Sequence, residues 1–307
     1  MQTWRKLGII FSPSNNYEWM ISHAAVPFVA TINGDTIKVF FSCRNAKNES
    51  SVGSIDFDIN TLQVSNLSSK PILSKGAMGE FDDSGAMGCC AVNIGDVIRL
   101  YYIGWNLGVT VPFRNSIGIA ESFDKGKTFS KPFQGPIIDR NKNDPYFVAS
   151  NCVLFDEGVY KIWYLSCTEW FKSNDISMHK YHIKYAESVD GIDWDRKGTV
   201  AIDYVDSYEY AISVPRVIRE EGIYKMWFSS RATKDVSNYR IRYAESMDGI
   251  SWTRKDGEVN LDVTESSWDS EMICYPYIFD HKGKRYMLYN GNDYGKTGFG
   301  LAVLEYE

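Results

Sequence analysis

Three carboxylates stand at comparable places in the chain, as expected of groups that are brought together for acid and base chemistry. Asp83, Glu209 and Glu271 each lie twelve or thirteen residues before a glycine turn that follows an apolar run. Acids held together in a concave site shift one another's pKa values, as general acid/base catalysis requires. The spacing predicts Asp83 and Glu271 as the first catalytic pair, with Glu209 tuning or replacing one of them. The alternative for each acid is an exposed loop position at the start of a strand.

Arginine and aromatic side chains are expected around the same rim. Arginine binds phosphate or carboxylate with two parallel hydrogen bonds, and aromatic faces suit sugar rings. Arg216 lies inside an apolar run, where an unpaired charge is costly, so it either pairs with Glu209 or Glu271 or holds a bound anion. His23 is either a buried strand residue or a ligand. The predicted substrate-binding residues are His23, Arg44, Asp82, Trp105, Arg114, Asp144, Glu169, Arg216, Arg231 and Asp269.

The elements that position these residues belong to a repeated unit. Five apolar runs are each followed by a glycine turn and an aromatic run, and the turn glycines are separated by 61, 63, 64 and 61 residues: Gly34, Gly95, Gly158, Gly222 and Gly283. The stretches IKYAESVDGIDW and IRYAESMDGISW repeat a strand and an Asp-Gly hairpin turn. Four-stranded units repeated around an axis are typical of a β-propeller.

The last unit lacks a fourth strand, because its third apolar run, 298–306, reaches the end of the sequence. The stretch WRKLG near the N-terminus resembles WDRKG at the start of a fourth strand, so residues from about 3 to 11 are predicted to complete the last blade and close the ring. The sequence therefore predicts an all-β, single-domain, five-bladed propeller over residues 1–307. Because inner strands begin at one mouth of a propeller channel, the residues named above are expected to ring that mouth.

Composition narrows the range of partners. The net charge of −6 and the lack of a basic run argue against nucleic acid. The N-terminal apolar run is too short for a signal peptide, and no apolar segment is long enough to span a membrane, so we expect a cytoplasmic protein. The six cysteines lack C-x-x-C spacing and the four histidines are scattered, so no metal site is predicted. No cofactor is predicted, and the expected partner is a small-molecule carbohydrate or a sugar nucleotide.

Several segments carry a resemblance to a known superfamily: SHAAVP, FDDSGAMG, GWNLGVTVPFRNSIG, EYAISVPRV and WDSEMICYP. With the repeated hairpins, they resemble the five-bladed propeller glycosidases, which include arabinanases, β-fructosidases and β-mannoside phosphorylases. Most closely, the chain is similar to glycosidase-like proteins of bacterial surface-polysaccharide gene clusters. Many of these glycosidases place a catalytic Asp directly before a Pro on the first inner strand, where this chain has Val26 and Pro27. The family's catalytic residues therefore cannot be transferred to this chain.

The resemblance and the acids together lead to a functional hypothesis. One carboxylic acid would protonate the leaving oxygen at an anomeric carbon, and one carboxylate would activate water. A small, lipid-linked or nucleotide-linked sugar suits a cytoplasmic enzyme. One alternative is a phosphorylase or transferase that uses Arg44, Arg216 or Arg231 as an anion clamp. Another is a catalytically silent carbohydrate-binding propeller, which would keep Trp105, Trp170 and the arginines without needing an acid pair.

Overall fold

The computed structural model describes residues 1–15, 17–232 and 236–305, and almost all of its regular structure is β-strand. Antiparallel pairing arranges these strands into five groups. Group 1 contains β2 (Ser22–Asn33), β3 (Thr36–Arg44), β4 (Ser50–Asp58) and β5 (Val64–Ser65). Group 2 contains β6 (Gly85–Ile94), β7 (Val97–Leu107) and β8 (Phe113–Ser122). Group 3 contains β9 (Val148–Asp156), β10 (Val159–Ser173), β11 (Ile176–Ser188) and β12 (Asp195–Ile202).

The remaining groups include both ends of the chain. Group 4 contains β13 (Ala211–Glu220), β14 (Ile223–Arg231), β15 (Arg240–Ser246) and β16 (Thr253–Arg254). Group 5 contains β18 (Cys274–His281), β19 (Lys284–Asn290), β20 (Phe299–Glu305) and β1 (Gln2–Phe11), with β17 (Val259–Asn260) at its edge. A 3₁₀ turn (Asp256–Glu258) and a short helix α1 (Asn292–Gly295) complete the regular structure that the model describes.

The N-terminal strand pairs with the last strand, as the sequence indicated. β1 runs antiparallel to β20, with Thr3 opposite Glu305 and Phe11 opposite Phe299. The predicted third run of the last unit, 298–306, corresponds to β20, and Tyr306 lies outside the described residues. In this sheet β1 therefore lies between β20 and β17, and neither of its edges is left without a neighbouring strand.

The predicted turns occur where the repeat placed them. The five turn glycines have φ between 59° and 81°, a conformation that costs glycine little. In the Asp-Gly hairpins, Asp190 accepts hydrogen bonds from the backbone N–H groups of Ile192 and Asp193 at 2.8 and 2.9 Å. Asp248 does the same one repeat later. These turns recur because one local sequence satisfies its own backbone groups in each copy.

The inner strands β2, β6, β9, β13 and β18 surround a narrow axis. A constriction of only about 10 Å³ is lined by residues of all five, including Val26, Cys90, Cys152, Val214 and Tyr277. The six cysteines are buried and free of disulfides, as the sequence indicated for small apolar side chains. The inner strands therefore leave little open space at the middle of the axis.

An apolar collar closes the axis at the residues before the inner-strand prolines. It consists of Ala25, Val26, Met87, Val214 and Tyr275, which pack together. Val26, Val214 and Tyr275 have φ of 51°, 47° and 57°, which is strained for such side chains. Their N–H groups are held by polar side chains of other strands: Asn290 Oδ1 at 2.8 Å, Ser150 Oγ at 2.9 Å and Ser229 Oγ at 2.7 Å, respectively. The collar stands where the related glycosidases are expected to have an acid.

No helix within the described ranges is long and apolar enough to cross a membrane.

Candidate functional site

Four of the predicted site acids are buried in a repeated scaffold. Asp82, Asp144 and Asp269 are at most 1% exposed, and each accepts a hydrogen bond from the tyrosine hydroxyl twenty residues later in its own group. These tyrosines are Tyr102 at 2.9 Å, Tyr164 at 3.1 Å and Tyr289 at 3.2 Å. A contact that recurs at the same spacing in three groups indicates a structural role.

A cation from a later or neighbouring strand completes each contact. Lys131 lies 2.6 Å from Asp82, and Lys6 lies 2.5 Å from Asp269. Asp144 is paired with both Lys184 at 3.1 Å and Arg196 at 3.0 Å. A buried carboxylate is tolerated because it is paired and hydrogen-bonded, as these are. The carboxylates of Asp82, Asp144 and Asp269 therefore hold strands together, and their predicted role in substrate binding stays a prediction.

Glu209 has the same structural role in group 4, and its predicted catalytic role stays a prediction. Its side chain is 3% exposed. Arg254 donates to both carboxylate oxygens at 2.8 and 3.0 Å, and the Ser230 hydroxyl and the Val205 N–H donate as well. A carboxylate with both oxygens engaged in this way has no lone pair directed at a substrate. The glycine turns conceal this recurrence, because Glu209 and Asp82 lie thirteen residues before their turn glycines whereas Asp144 and Asp269 lie fourteen before theirs.

Arg216 does not pair with Glu209 or Glu271. Its Nε and Nη2 donate to the carbonyl oxygen of Ile278 at 3.2 and 3.1 Å, and its guanidinium lies 4.0 Å from the ring centroid of Tyr277. Tyr277 and Ile278 belong to β18, so Arg216 bridges two inner strands at the far side of the constriction. It is separated from the strand ends where the other predicted residues lie.

Glu169 lies on β10 and Arg114 lies on β8, near the ends where these strands meet their hairpin loops. Glu169 is exposed and is paired with Lys180 at 2.9 Å. Arg114 is exposed beside a separate shallow pocket formed by residues 106–110. The nearby Trp170, an expected sugar platform, packs instead against Phe113 and His179 with ring centroids 5.4 and 4.7 Å away. These positions are peripheral to the cleft described next.

A cleft of about 610 Å³ opens between groups 1 and 2 and contains two of the predicted residues. Arg44 at the end of β3 and Trp105 on β7 lie in its wall, with Phe113 as a second aromatic. The polar lining is completed by Lys47, Asn48, Glu49, Ser84 and Asn115. Its volume falls in the range of roughly 300–1,000 Å³ that is usual for ligand pockets, and its mixture of aromatic faces and polar groups suits a sugar.

Local sequence explains why Trp105 stands in this wall. Its Nε1 donates to Ser50 Oγ at 2.8 Å, which ties β7 to the start of β4. Gly85 makes room for that contact, since a Cβ there would come within 2.2 Å of both Trp105 Nε1 and Ser50 Oγ. The indole is therefore fixed along one edge by the fold, and a fixed ring face binds a ligand with little loss of entropy.

Glu49 is a site residue that the sequence analysis missed. It lines the cleft, and its carboxylate is bonded to Lys75 Nζ at 2.9 Å and Asn45 Nδ2 at 2.8 Å. The hydrogen bond from Lys75 lowers the pKa of Glu49, and the bond from Asn45 adds to this. The carboxylate is thus ionised at neutral pH, which suits a base or a partner for sugar hydroxyls. The signal available was its position in the loop directly after Arg44.

Asp83 lies beside the cleft, whereas Glu271 lies apart from it. Ser84, a cleft residue, donates to Asp83 Oδ1 at 3.0 Å, and Lys75 donates to the Asp83 carbonyl at 2.9 Å. Lys75 therefore links Asp83 to Glu49. Glu271 is exposed at the start of group 5, and no described side chain bonds its carboxylate. The structure brings Asp83 together with Arg44, Trp105 and the additional acid.

The rest of this mouth is basic and rich in tyrosine. Arg231 donates to the Tyr294 hydroxyl at 2.7 Å and lies 5.1 and 5.0 Å from the ring centroids of Tyr210 and Tyr239. No carboxylate in the described ranges pairs with Arg231 or Arg44, and Arg231 Nε is buried without a partner there. These arginines retain N–H groups that an anionic ligand can accept.

Two histidines at this mouth make the free energy of unfolding of the protein depend on pH. Burial lowers the pKa of His23 to about 4, with Arg44 and Lys296 adding to the effect. Burial, with Arg231 nearby, lowers the pKa of His179 to about 4 as well. Both stay neutral when folded and take up protons near pH 6.5 when unfolded.

We therefore expect the free energy of unfolding to fall as the pH drops from about 6.5 to about 4. This contribution is present above the unfolded pKa and is lost as pH falls through the folded value. Chemical denaturation at several pH values measures it. His179→Phe retains a ring for Trp170 and Tyr181 to pack on and should flatten the slope. An unchanged slope in this variant and in His23→Gln would contradict the assignment.

The described residues contain no group of three or more His, Cys, Asp or Glu that could hold a metal ion.

Comparison with curated proteins identifies relatives of the whole chain. No protein-family model matches. The chain is 43% identical over 303 residues to "Uncharacterized protein Rv1502" of Mycobacterium tuberculosis (strain ATCC 25618 / H37Rv), covering 98% of this chain and 99% of that protein. A stretch of 142 residues is 26% identical to the 1,2-beta-oligomannan phosphorylase of Thermoanaerobacter sp. (strain X514), covering 44% of this chain and 46% of that protein.

Solved structures with the same fold include enzymes that act on carbohydrates. One described as a glycoside hydrolase superposes with a TM-score of 0.79 at 17% identity, over 100% of this chain and 93% of that chain. One from work on the GH130 family of mannoside phosphorylases, which describes hydrolases of beta-1,2 mannosidic linkages in Candida mannan, gives 0.70 at 14% identity over 98% and 93%. The resemblance to the propeller glycosidases is thereby confirmed. The chain belongs to the family of the mycobacterial protein Rv1502, and its fold is that of these glycosidases.

Proposed function

We propose that the protein is an enzyme that acts at the anomeric carbon of a carbohydrate bound in the cleft between groups 1 and 2. The observation that carries this proposal is the composition of that cleft. The indole of Trp105 and the ring of Phe113 line the cleft together with hydrogen-bonding groups suited to sugar hydroxyls, and Arg44 adds a positive charge. The fold shared with glycoside hydrolases and a mannoside phosphorylase family supports the same chemistry.

The proposed architecture is one five-bladed propeller over residues 1–307, closed by β1. The five strand groups would be the blades. In group 5, β1 would be the fourth and last strand of the blade. The pairing of β1 with β20 and the constriction lined by all five inner strands support this arrangement. The proposed place of reaction is the cytoplasm, in bacterial glycan metabolism, on a small, lipid-linked or nucleotide-linked sugar.

The proposed chemistry assigns Asp83 as the general acid that protonates the leaving oxygen. Glu49, which lines the cleft, would be the base that activates water in hydrolysis, and Glu271, the base predicted from the sequence, is the alternative. In phosphorolysis, phosphate would attack the anomeric carbon directly and give a sugar 1-phosphate. Arg44 and Arg231 would hold the attacking phosphate. The absence of paired carboxylates on these arginines in the described ranges favours an anionic co-substrate.

A silent carbohydrate-binding propeller is the second candidate. It is favoured by one observation: Asp82, Asp144, Glu209 and Asp269 are all occupied in buried ion pairs, so the mouth has fewer free acids than the sequence indicated. Such a protein would bind the same sugar in the same cleft and show no turnover.

Trp105→Ala tests the cleft itself. We expect sugar affinity to fall by about tenfold to a hundredfold, because a ring face and its fixed edge are removed. A panel of glycosides and sugar nucleotides, with and without phosphate, identifies the ligand by turnover or calorimetry. Phe123→Ala is the matched control, since Phe123 is an exposed aromatic of the same group. Equal affinity in the two variants, both folded, would place the sugar elsewhere.

A further inference from the structure

A second cavity lies at the opposite end of the inner strands from the cleft. Its volume is about 650 Å³, and its walls come from the C-terminal halves of β2, β13 and β18, as at Ile32, Ile218 and Phe279. The cleft is built instead from the other strand ends, at Arg44, Ser84 and Trp105. The apolar collar and the constriction separate the two spaces, so a ligand in one has no contact with a ligand in the other.

Arg216 lines both this cavity and the constriction above it. Its Nε and Nη2 share one acceptor, the Ile278 carbonyl, and one face of the guanidinium stacks on Tyr277. Nη1 has only a contact of 4.0 Å to the Cys152 sulfur. A guanidinium has five N–H donors, so the edge formed by Nη1 and Nη2 retains donors for a further acceptor.

The other charges around this cavity are already paired. Arg285 bonds Glu220 and Asp280 at 2.8 Å each, and Arg219 bonds Asp156 and Glu157 at 2.8 Å each. Arg216 has no carboxylate partner among the residues that the structure describes. An arginine drawn from water without a counter-charge is costly, and a bound anion removes that cost.

We propose that this cavity binds a small organic oxyanion, a carboxylate or a phosphate ester, on the Nη1–Nη2 edge of Arg216. The planar edge suits either oxyanion with two parallel hydrogen bonds. The apolar body of the ligand packs against Ile218 and Phe279, which line the same cavity. This site is independent of the proposed sugar cleft, because it uses different residues at the other end of the strands.

Calorimetry with inorganic phosphate and with benzoate, at constant ionic strength, tests the site. The titrations use a protein that carries Arg44→Met and Arg231→Met, in which both proposed phosphate contacts at the sugar site are removed. We expect saturable binding of at least one probe with one site per chain. Adding Arg216→Lys should weaken it at least about tenfold, since lysine retains the charge but not the two-pronged edge. Binding of benzoate alone assigns the carboxylate, and binding of phosphate alone assigns the phosphate ester.

Two further variants protect this test from a folding artefact. Arg219→Met removes an equal charge from the rim of the same cavity, where the guanidinium is already engaged, and should change affinity less than threefold. Thr31→Trp narrows the cavity from β2 without touching the arginine and should abolish binding. No binding of either probe, or equal binding by the Arg216→Lys and Arg219→Met proteins, would overturn the proposal. Neither result would contradict the proposed reaction in the cleft, which turnover measurements test separately.

Discussion

Glu209→Gln should lower the free energy of unfolding by about 3–5 kcal/mol, the range for breaking a buried ion pair by removing one partner. The amide cannot accept from Arg254 on both oxygens, so the largely buried guanidinium keeps Asp256 but loses the carboxylate that it bonded on two oxygens. The amide also places an N–H donor toward the Ser230 hydroxyl, which in the unmodified protein donates to the carboxylate. Urea denaturation followed by tryptophan fluorescence measures the change.

Glu271→Gln is the matched control, because it makes the same chemical change at an exposed carboxylate that no described side chain bonds. Its effect should stay within about 0.5 kcal/mol, as for most surface substitutions. The double variant Glu209→Gln with Arg254→Met should lose less than the sum of the two single variants, since both substitutions remove the same ion pair. If Glu209→Gln were as stable as the control, the buried pair would not support group 4.

The repeat was predictable from the sequence because each turn is encoded locally. Each turn depends on local residues alone. Gly34 and its four counterparts adopt the positive φ that the turn needs, and in the Asp-Gly hairpins the Asp side chain accepts hydrogen bonds from the following backbone N–H groups. The pairing of β1 with β20 followed from one short resemblance between distant segments. These features need no knowledge of which side chains meet across the molecule.

The site acids were harder to predict because their partners lie far along the chain. Lys131 follows Asp82 by 49 residues, and Lys6 precedes Asp269 by 263, as their contacts show. The acids also differ by one position between groups, as Glu209 does, so the repeat looked broken where it was maintained. Glu49 was missed for the opposite reason, because it occurs once and precedes β4, which is not one of the inner strands that were compared.

Asp83→Asn should lower turnover by about 10² to 10⁴-fold, the usual contribution of a general acid. The amide is isosteric, and its oxygen still accepts from Ser84 while only the bond from the Gly79 N–H is lost, so most of the loop and the ground-state affinity for sugar should be retained. The measurement is kcat and KM on the glycosides identified by the panel, each with and without phosphate. Retained binding without turnover separates a chemical role from a structural one.

Glu49→Gln then distinguishes the two reactions, because only hydrolysis needs a base to activate water. The bond from Lys75 keeps Glu49 ionised, so it is equipped to act as that base and not as the acid. We expect this variant to lose hydrolysis by about 10² to 10⁴-fold. Phosphorolysis should be largely retained, since phosphate held by Arg44 is itself the nucleophile.

Glu271→Gln should change either rate less than tenfold, because Glu271 does not line the cleft. A large loss in Glu271→Gln with none in Glu49→Gln would restore the pair inferred from the sequence. Sugar binding without turnover in the unmodified protein would instead establish the silent propeller.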